Sequence, residues 1–354
     1  MMVPPFAARC SCLALLVAVG CSSLDSLPPN DHVVAAPIST RANTVLLTMV
    51  TEHGSAQGVW DCNMGEGCSQ VWATHFGYRA GVRRDRDDVL AIGEATAKRA
   101  AADLRGVLWD AIFGELDERD PALSGFPAMF VSGTLGGRNL DEWMFALGLD
   151  RLEGAAARKS LSGREASALT VLMAEVSRLQ PERRDERLAS ARSFALRIPA
   201  DSIPTYASLA WAAIARASGD PEDVERADAA VAAAPYRFDP LTGDMAPIPA
   251  EEPDVLSRHL LVVHALADLA QATGDASYHR RAGAILDYCF SDAYLKDGCL
   301  VHDQGGGKQM GLICTGCNFM ALYLVDRLYG DSWVIAPLPP LPKRDEAWLE
   351  EALQ

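Results

Sequence analysis

Side chains able to carry out acid–base or metal chemistry are concentrated in residues 297–317, DGCLVHDQGGGKQMGLICTGC. An imidazole titrates near neutral pH and a glycine-rich loop can place it over a pocket, so His302 with Asp303 is predicted to be an acid–base pair. Thiolates and imidazole also bind zinc, and a zinc site built on residues 314–317 with Cys299 and His302 is the alternative. A thioredoxin-like redox role is disfavoured because no strand–helix–strand pattern surrounds the CTGC sequence.

The elements that must position these residues are helices. Apolar residues recur at helical spacing through most of the chain. Residues 207–233 and 258–286 share one layout, an alanine- and leucine-rich helix, a Gly-Asp turn and a second helix, and residues 69–104 form a weaker copy. Repeated helical hairpins bury their faces against neighbours, which predicts an all-α solenoid or closed ring with long loops. Within this pattern His264 and Asp268 are predicted to be a solvated pair on a polar helix face.

The hairpins resemble the six-hairpin (α/α) toroid superfamily, which includes unsaturated glucuronyl hydrolases, sugar epimerases and related glycosidases. Residues 273–278, TGDASY, match the typical hairpin turn T-G-D-x-x-Y, and residues 297–302, DGCLVH, match D-G-x-x-x-H before the last hairpin. The resemblance is clearest over residues 205–330, is thin over 60–105, and is not visible over 106–200. It implies an (α/α) toroid that handles a saccharide.

One departure concerns the catalytic acid. Where the glucuronyl hydrolases carry a catalytic aspartate, about sixteen residues before the glycine of the TGD turn, this chain has Arg258 with His259 beside it. Asp254 lies one turn earlier at a predicted helix start, where the helix dipole favours the ionised form. The acid of that family is therefore not transferred to this chain.

Candidate site residues are chosen by where a toroid collects its active site, at the end where inner helices and their loops converge. Carboxylates protonate the leaving oxygen or activate water in a glycosidase, and an indole face can stack on a sugar ring. The predicted catalytic residues are His302, Asp303, Asp61 and His259, and the predicted substrate-binding residues are Trp60, Trp72 and Trp143.

An export signal is predicted at the N-terminus. Residues 10–20 form an apolar run after Arg9, which has the length of the central region of a signal peptide and is too short to span a bilayer. The run ends in residues 17–21, VAVGC, which resemble the lipobox of bacterial lipoproteins. The resemblance implies cleavage before Cys21, acylation of Cys21 and anchoring in a lipid bilayer. The serines after Cys21 indicate the outer membrane in Gram-negative relatives.

The composition of the chain indicates which classes of partner are disfavoured and whether its cysteines are expected to form disulfides. A net charge of −15 over 354 residues disfavours nucleic acid and anionic lipid surfaces as partners. Six cysteines remain once the signal is cleaved and Cys21 is acylated, and an even number in an exported protein predicts disulfides rather than a metal or another cofactor. Spacing favours the local pairs Cys62–Cys68, Cys289–Cys299 and Cys314–Cys317.

The predicted organisation has four segments: a signal peptide at 1–20, a lipidated cysteine and tether at 21–38, an (α/α) toroid at 39–333, and a proline-rich tail with a short helix at 334–354. The predicted function is a carbohydrate-handling lipoprotein of the cell envelope, on the periplasmic face or the cell surface, that hydrolyses, eliminates or epimerises at a sugar. The alternatives are a non-catalytic envelope lipoprotein that binds a polysaccharide or a protein, and a zinc-dependent enzyme using the 314–317 region.

Overall fold

A computed structural model gives the fold, and it describes residues 36–61, 66–102, 161, 163–179, 181–200, 202, 204–234, 255–302 and 311–352. The predicted strand-like segment 128–132 and the signal and lipobox residues lie outside these ranges. Within them, no helix combines the length and apolarity needed to cross a membrane.

The described secondary structure is almost entirely helical, with one two-stranded hairpin between the ninth and tenth helices. The helices are α1 Ala36–Thr51, α2 Glu66–Arg83, α3 Asp87–Ala102, α4 Gly163–Leu179, α5 Arg184–Ala195, α6 Pro204–Ser218, α7 Pro221–Ala233, α8 Leu256–Thr273, α9 Ala276–Cys289, α10 Thr315–Tyr329 and α11 Glu346–Ala352, and the strands are β1 Leu295–Lys296 and β2 Cys299–Leu300.

Consecutive helices pair as antiparallel hairpins, α2 with α3, α4 with α5, α6 with α7 and α8 with α9. The first members of these hairpins also pack against one another, in the order α4, α6, α8, α10 and then α2. The last helix of the core therefore returns to the first hairpin, as the all-α toroid prediction requires. Since each inner helix is followed by an antiparallel outer one, the inner helices run in the same direction and begin at the same end of the ring.

Burial separates the two layers of the ring. Every residue of α10 from Thr315 to Leu328 is buried, and α8 is buried through most of its length. The outer helix α7 buries only Asp223, Ala227 and Val231, which lie four residues apart on one face. A helix that is buried all round must have neighbours on every side, whereas a single apolar stripe belongs to a surface helix. This difference identifies α8 and α10 as inner helices.

The repeated Gly-Asp turn has the same geometry in both hairpins. Gly219 and Gly274 have φ angles of 69° and 72°, the left-handed conformation that ends a helix at little cost only for glycine. The aspartate that follows each glycine caps the next helix, because Asp220 accepts a hydrogen bond from the amide of Glu222 and Asp275 from that of Ser277. Two residues therefore terminate one helix and start the next.

The D-G-x-x-x-H sequence forms a two-residue β-hairpin. Asp297 and Gly298 connect β1 to β2 with φ angles of 47° and 81°, and two consecutive positive φ values are characteristic of a type I′ turn. A side chain at Gly298 would meet Thr48 Oγ1 of α1 at 2.5 Å. The hairpin therefore lies against α1 and leads directly into His302.

The C-terminal segment packs back on the start of the chain. The Ala56 amide donates a hydrogen bond to the Pro342 carbonyl at 2.8 Å. The Arg344 guanidinium donates to the carbonyl oxygens of Thr51, Glu52 and Gly54 at the end of α1. The predicted short helix of this segment is α11.

Candidate functional site

The backbone fixes His302 at the starts of two inner helices. Its amide donates to the Leu312 carbonyl at 2.8 Å, and its carbonyl accepts from the Leu256 amide, the first residue of α8, at 2.9 Å. The preceding Val301 forms an isolated bridge with Ile313, which leads into α10. The structure therefore places the partly buried His302 at the end of the ring where the inner helices begin.

Two of the cysteines lie beside His302. Cys314 is the N-cap of α10, and its Sγ accepts a hydrogen bond from the Cys317 amide at 3.2 Å. Cys317 Sγ lies 3.9 Å from His302 Nδ1. The donor atoms of His302, Cys314 and Cys317 all lie within 4.8 Å of one another. The structure thus brings together three residues that the sequence analysis considered as zinc ligands.

The described cysteines are not joined in the local disulfides that the spacing favours. Neither Cys289–Cys299 nor Cys314–Cys317 is a bond in the structure, and all four residues are buried. Burial raises the pKa of the Cys299 thiol to about 12, so this residue remains protonated at neutral pH. The Cys62–Cys68 pair is not part of what the structure describes, because Cys62 and the side chain of Cys68 fall outside it.

Asp61 lies at the same end of the ring as His302. Its carbonyl oxygen accepts a hydrogen bond from the hydroxyl of Thr315, the first residue of α10. Its carboxylate is 40 % exposed and lies 3.6 Å from His53 Nδ1. The structure therefore brings a half-exposed carboxylate next to an imidazole at the start of α10.

Two predicted site residues occupy core positions instead. Trp60 is fully buried, with its ring 4.6 Å from that of Phe319 and its Nε1 donating to Thr96 Oγ1 at 2.9 Å. A ring enclosed in this way offers a sugar no open face, so the structure gives the predicted stacking role of Trp60 no support. His259 is also buried, with its ring 5.5 Å from Tyr288 and 6.0 Å from Tyr294, and these contacts give its predicted catalytic role no support.

The remaining predicted site residues cannot be placed. Asp303, Trp143 and the lipidation residue Cys21 lie outside the described ranges, so their predicted roles stay predictions.

A layer of charged side chains lies inside the ring, at equivalent positions of successive inner helices. Glu175, Arg216, Asp268 and Arg327 are each the thirteenth residue of their helix. Since the inner helices start at one end and run in parallel, residues at the same position lie at the same depth. The four side chains form one continuous chain of ion pairs, in which Arg216 bridges Glu175 and Asp268, and Arg327 contacts Asp268.

Asp268 is the centre of this layer. It is completely buried, with Oδ1 3.1 Å from Arg216 Nε and in contact with Arg327, and Oδ2 3.4 Å from His264 Nδ1. Burial alone would raise the pKa of Asp268, but the guanidinium groups of Arg216 and Arg327 outweigh it and hold this pKa well below 3.8. Asp268 is therefore a permanent anion that compensates buried cations.

One helical turn closer to the starts of the inner helices, the interior side chains are aromatic and histidine rings instead of charged groups. His264 stacks on Tyr323 with ring centroids 5.8 Å apart, and the Trp72 ring lies 6.2 Å from His264 and 5.6 Å from Tyr323. His75 lies 4.1 Å from Tyr323. The cluster joins α2 and α8, which flank α10 on opposite sides, so these side chains are turned towards the inside of the ring. Trp72 thus lies inside the ring of helices, but only 1 % of it is exposed, so the structure gives its predicted stacking role no more support than that of Trp60.

The electrostatics of His264 suit a base. Burial lowers the pKa of His264 below 6.5, although the adjacent Asp268 partly opposes the shift. The imidazole is therefore neutral at neutral pH, with a carboxylate beside Nδ1 to orient it and to stabilise the imidazolium that forms when it takes a proton.

The prediction that His264 and Asp268 form a solvated pair is wrong, because both residues are buried. A signal was present in the spacing. A ring residue is followed four positions later by a charged residue in three inner helices, in the pairs His75 and Arg79, His264 and Asp268, and Tyr323 and Arg327. Residues four apart share a helix face, so the repetition predicts a common inward face.

Comparison with known proteins supports the fold. No protein-family model matches the sequence, and no curated protein matches it. An unsaturated glucuronyl hydrolase specific for heparin superposes with a TM-score of 0.57 at 12% identity, over 83% of this chain and 96% of that one. An inactive variant of an α-1,6-mannanase from Salegentibacter sp. HEL1_6, in complex with α-1,6-mannotetrose, superposes with a TM-score of 0.54 at 10% identity, over 82% and 98%.

The chain has the (α/α) toroid fold. Both similar structures belong to carbohydrate-active proteins of this architecture, so the all-α toroid prediction is confirmed. At these identities the likeness shows the fold and not the reaction.

Proposed function

We propose that this protein is a carbohydrate-active enzyme that uses His264 as a proton acceptor inside the toroid. The observation that carries the proposal is the ring cluster of Trp72, His75, His264 and Tyr323, which sets a buried, neutral imidazole held by Asp268 among other rings inside the ring of helices. The similarity to a glucuronyl hydrolase and a mannanase supports a saccharide as the ligand.

The reaction class that fits the described residues best is elimination or epimerisation. Both begin when a base removes the proton from a sugar carbon next to a carbonyl or carboxyl group, which a neutral imidazole can do. In elimination the electron pair then expels the oxygen on the neighbouring carbon, and in epimerisation a proton returns to the other face of the same carbon. Glycoside hydrolysis instead requires a carboxylic acid that donates a proton. The described carboxylates buried between the inner helices, Glu175, Asp268 and Asp326, are all paired with arginines, and a carboxylate facing a guanidinium resists protonation.

Hydrolysis is the second candidate, favoured by the half-exposed carboxylate of Asp61 at the start of α10 and by the named activities of the similar structures.

The experiment is to incubate the protein with a panel of neutral and uronic oligosaccharides in deuterated water. Elimination produces an unsaturated sugar, epimerisation exchanges a carbon-bound proton for deuterium, and hydrolysis produces a reducing end without such exchange.

Variants assign the residue. His264→Gln should lower turnover roughly 100-fold or more, the usual contribution of general base catalysis. His279→Gln is the matched control, because His279 is also a buried histidine but bonds the Leu328 carbonyl and contacts Tyr329. His259→Gln tests the earlier prediction on the same helix. Full turnover in His264→Gln with loss in His259→Gln would reverse the assignment, and no turnover by the parent on any saccharide would favour a binding protein.

Export and lipid anchoring are part of the proposal and are supported by the sequence of residues 1–25. In bacteria, the full chain should appear in the membrane fraction with a diacylated or triacylated N-terminal peptide beginning at Cys21, detected by mass spectrometry. Cys21→Ala should block acylation and leave the protein outside the detergent phase. An unprocessed N-terminus on soluble parent protein would contradict this part of the proposal alone.

A further inference from the structure

The cluster of His302, Cys314 and Cys317 has the composition of a metal site. Its two sulfur atoms and one ring nitrogen lie within 4.8 Å of one another, and His302 Nδ1 is 3.9 Å from Cys317 Sγ. Zinc bonds of about 2.3 Å to sulfur and about 2.0 Å to nitrogen place tetrahedral ligand atoms roughly 3.4 to 3.8 Å apart. Small side-chain rotations would therefore bring all three donors onto one ion.

The surroundings hold these residues in place. Asn318 accepts a hydrogen bond from the Leu300 amide at 2.8 Å and donates to the carbonyl oxygens of Leu300 and Cys314, each at 2.9 Å. This buried amide joins the strand that leads to His302 to the turn that carries Cys314. The protein's own hydrogen bonds thus fix both parts of the cluster relative to each other, as a preorganised site requires.

The electrostatics also favour thiolates at this point. Cys314 caps a fifteen-residue helix, and the positive end of a helix dipole stabilises a nearby thiolate. Its sulfur already accepts an amide hydrogen bond. The ligands come from two segments, with the cysteines at the start of α10 and His302 from the chain that follows β2.

We infer that His302, Cys314 and Cys317 bind a borderline-soft divalent metal ion, of which zinc is the best match, and supply three of its ligands. Zinc is bound by four tetrahedral ligands, and among the described residues three donors converge here. Binding would displace the protons of both thiols as the metal–sulfur bonds form, so affinity should rise with pH. The inference stands independently of the saccharide activity.

The probe is cobalt, which reports its ligands by absorption. The full chain is purified without an affinity tag, reduced, freed of metal and titrated with Co²⁺. One ion per chain should bind and produce both a thiolate-to-cobalt charge-transfer band and tetrahedral visible bands, and Zn²⁺ should displace it. Protein isolated without chelator should contain zinc when measured by mass spectrometry.

Variants separate this site from the other buried thiols. Cys314→Ser and Cys317→Ser should each remove most of the charge-transfer band, and His302→Ala should weaken binding while keeping two thiolate ligands. Cys299→Ser is the matched control and should keep the full band, because Cys299 is a buried cysteine of high pKa outside the cluster. Circular dichroism establishes whether each variant is folded. If a cysteine variant is unfolded, His302→Ala still tests the inference, because His302 is at a partly exposed position.

Three outcomes would overturn the inference. One is isolation of the native protein with Cys314 linked to Cys317 in a disulfide peptide and no cobalt binding after reduction. Another is cobalt binding without any charge-transfer band, and a third is an equal loss of that band in Cys299→Ser.

Discussion

The charged layer inside the ring and the Cys–His cluster at the helix starts are built in opposite ways. In the layer, side chains from four consecutive inner helices neutralise one another, and the central residue Asp268 is fully buried. In the cluster, backbone hydrogen bonds and Asn318 hold the segments, while the sulfur and nitrogen atoms converge on one point. In the layer, each carboxylate faces a guanidinium group, so the charges are permanent. In the cluster, the donor atoms belong to thiol and imidazole groups, which can lose or gain a proton and bind a ligand.

The charged layer therefore belongs mainly to the scaffold of the protein, whereas the Cys–His cluster is suited to binding and chemistry. An ion pair buried between helices contributes little net stability compared with apolar packing, but removing one partner leaves an uncompensated charge in a low-dielectric interior. Asp268 therefore serves two purposes, since it balances Arg216 and Arg327 and orients His264. Variants that remove charge from the layer should act mainly on stability, and variants in the cluster mainly on binding.

The largest effect is expected for Asp268→Ala. The substitution leaves Arg216 and Arg327 buried without this anion, and the free energy of unfolding should fall by about 3–5 kcal/mol, measured by urea denaturation. The control is Asp292→Ala, because Asp292 also pairs with an arginine, Arg41, at 3.3 Å, but has a 95 % exposed side chain. An exposed pair is worth less than about 1 kcal/mol. Equal losses in the two variants would mean that the interior layer does not depend on charge balance.

An intermediate effect is expected at the hairpin that leads to the cluster. Gly298→Ala forces a side chain into the left-handed region and against Thr48 Oγ1, 2.5 Å from the new Cβ. The expected loss of stability is about 1–3 kcal/mol, measured by thermal or urea unfolding.

Gly219→Ala is the matched control for the hairpin variant. Gly219 has a similar φ of 69° but nothing within 4 Å of an added Cβ, so its substitution should cost only about 1 kcal/mol for backbone strain. The difference between the two glycines measures the contact of the hairpin with α1, and no difference would mean that the hairpin moves freely away from that helix.

Much of the fold could be predicted from sequence because its signals are local. The TGDASY turn contains its own helix terminator and cap, Gly274 and Asp275, and the Asp-Gly pair at 297–298 specifies its own hairpin.

The candidate site was harder to predict because it depends on contacts between distant helices. A polar face normally points to solvent, and sequence alone does not tell that α8 has neighbours on every side, so His264 and Asp268 were misplaced. Trp60 was misread for a similar reason, since its partners Phe319 and Thr96 come from helices far away in the chain. Cysteine pairing was inferred from spacing, but spacing does not show that His302 lies beside Cys317.

The smallest effect is expected from a change of pH, and it reports on the protonation of His264. Since burial lowers the pKa of His264 below 6.5, the unfolded chain takes up a proton before the folded one does as the pH falls. Stability should therefore decrease as the pH falls below about 6.5, with a slope of at most about 1.4 kcal/mol per pH unit from this residue. The depressed pKa of Asp268 acts in the same direction but only below 3.8, the usual pKa of an aspartate, so the two pH ranges are separate.

Urea unfolding at several pH values between 7 and 5 measures this slope. His264→Gln should flatten the part of the slope that comes from the imidazole, whereas Asp292→Ala, which leaves the histidine in place, should keep it. An unchanged slope in His264→Gln would mean that the folded protein accepts the proton as readily as the unfolded chain does. The imidazole would then not be held neutral by its buried position beside Asp268, and the ring cluster would lose the property that makes it a base.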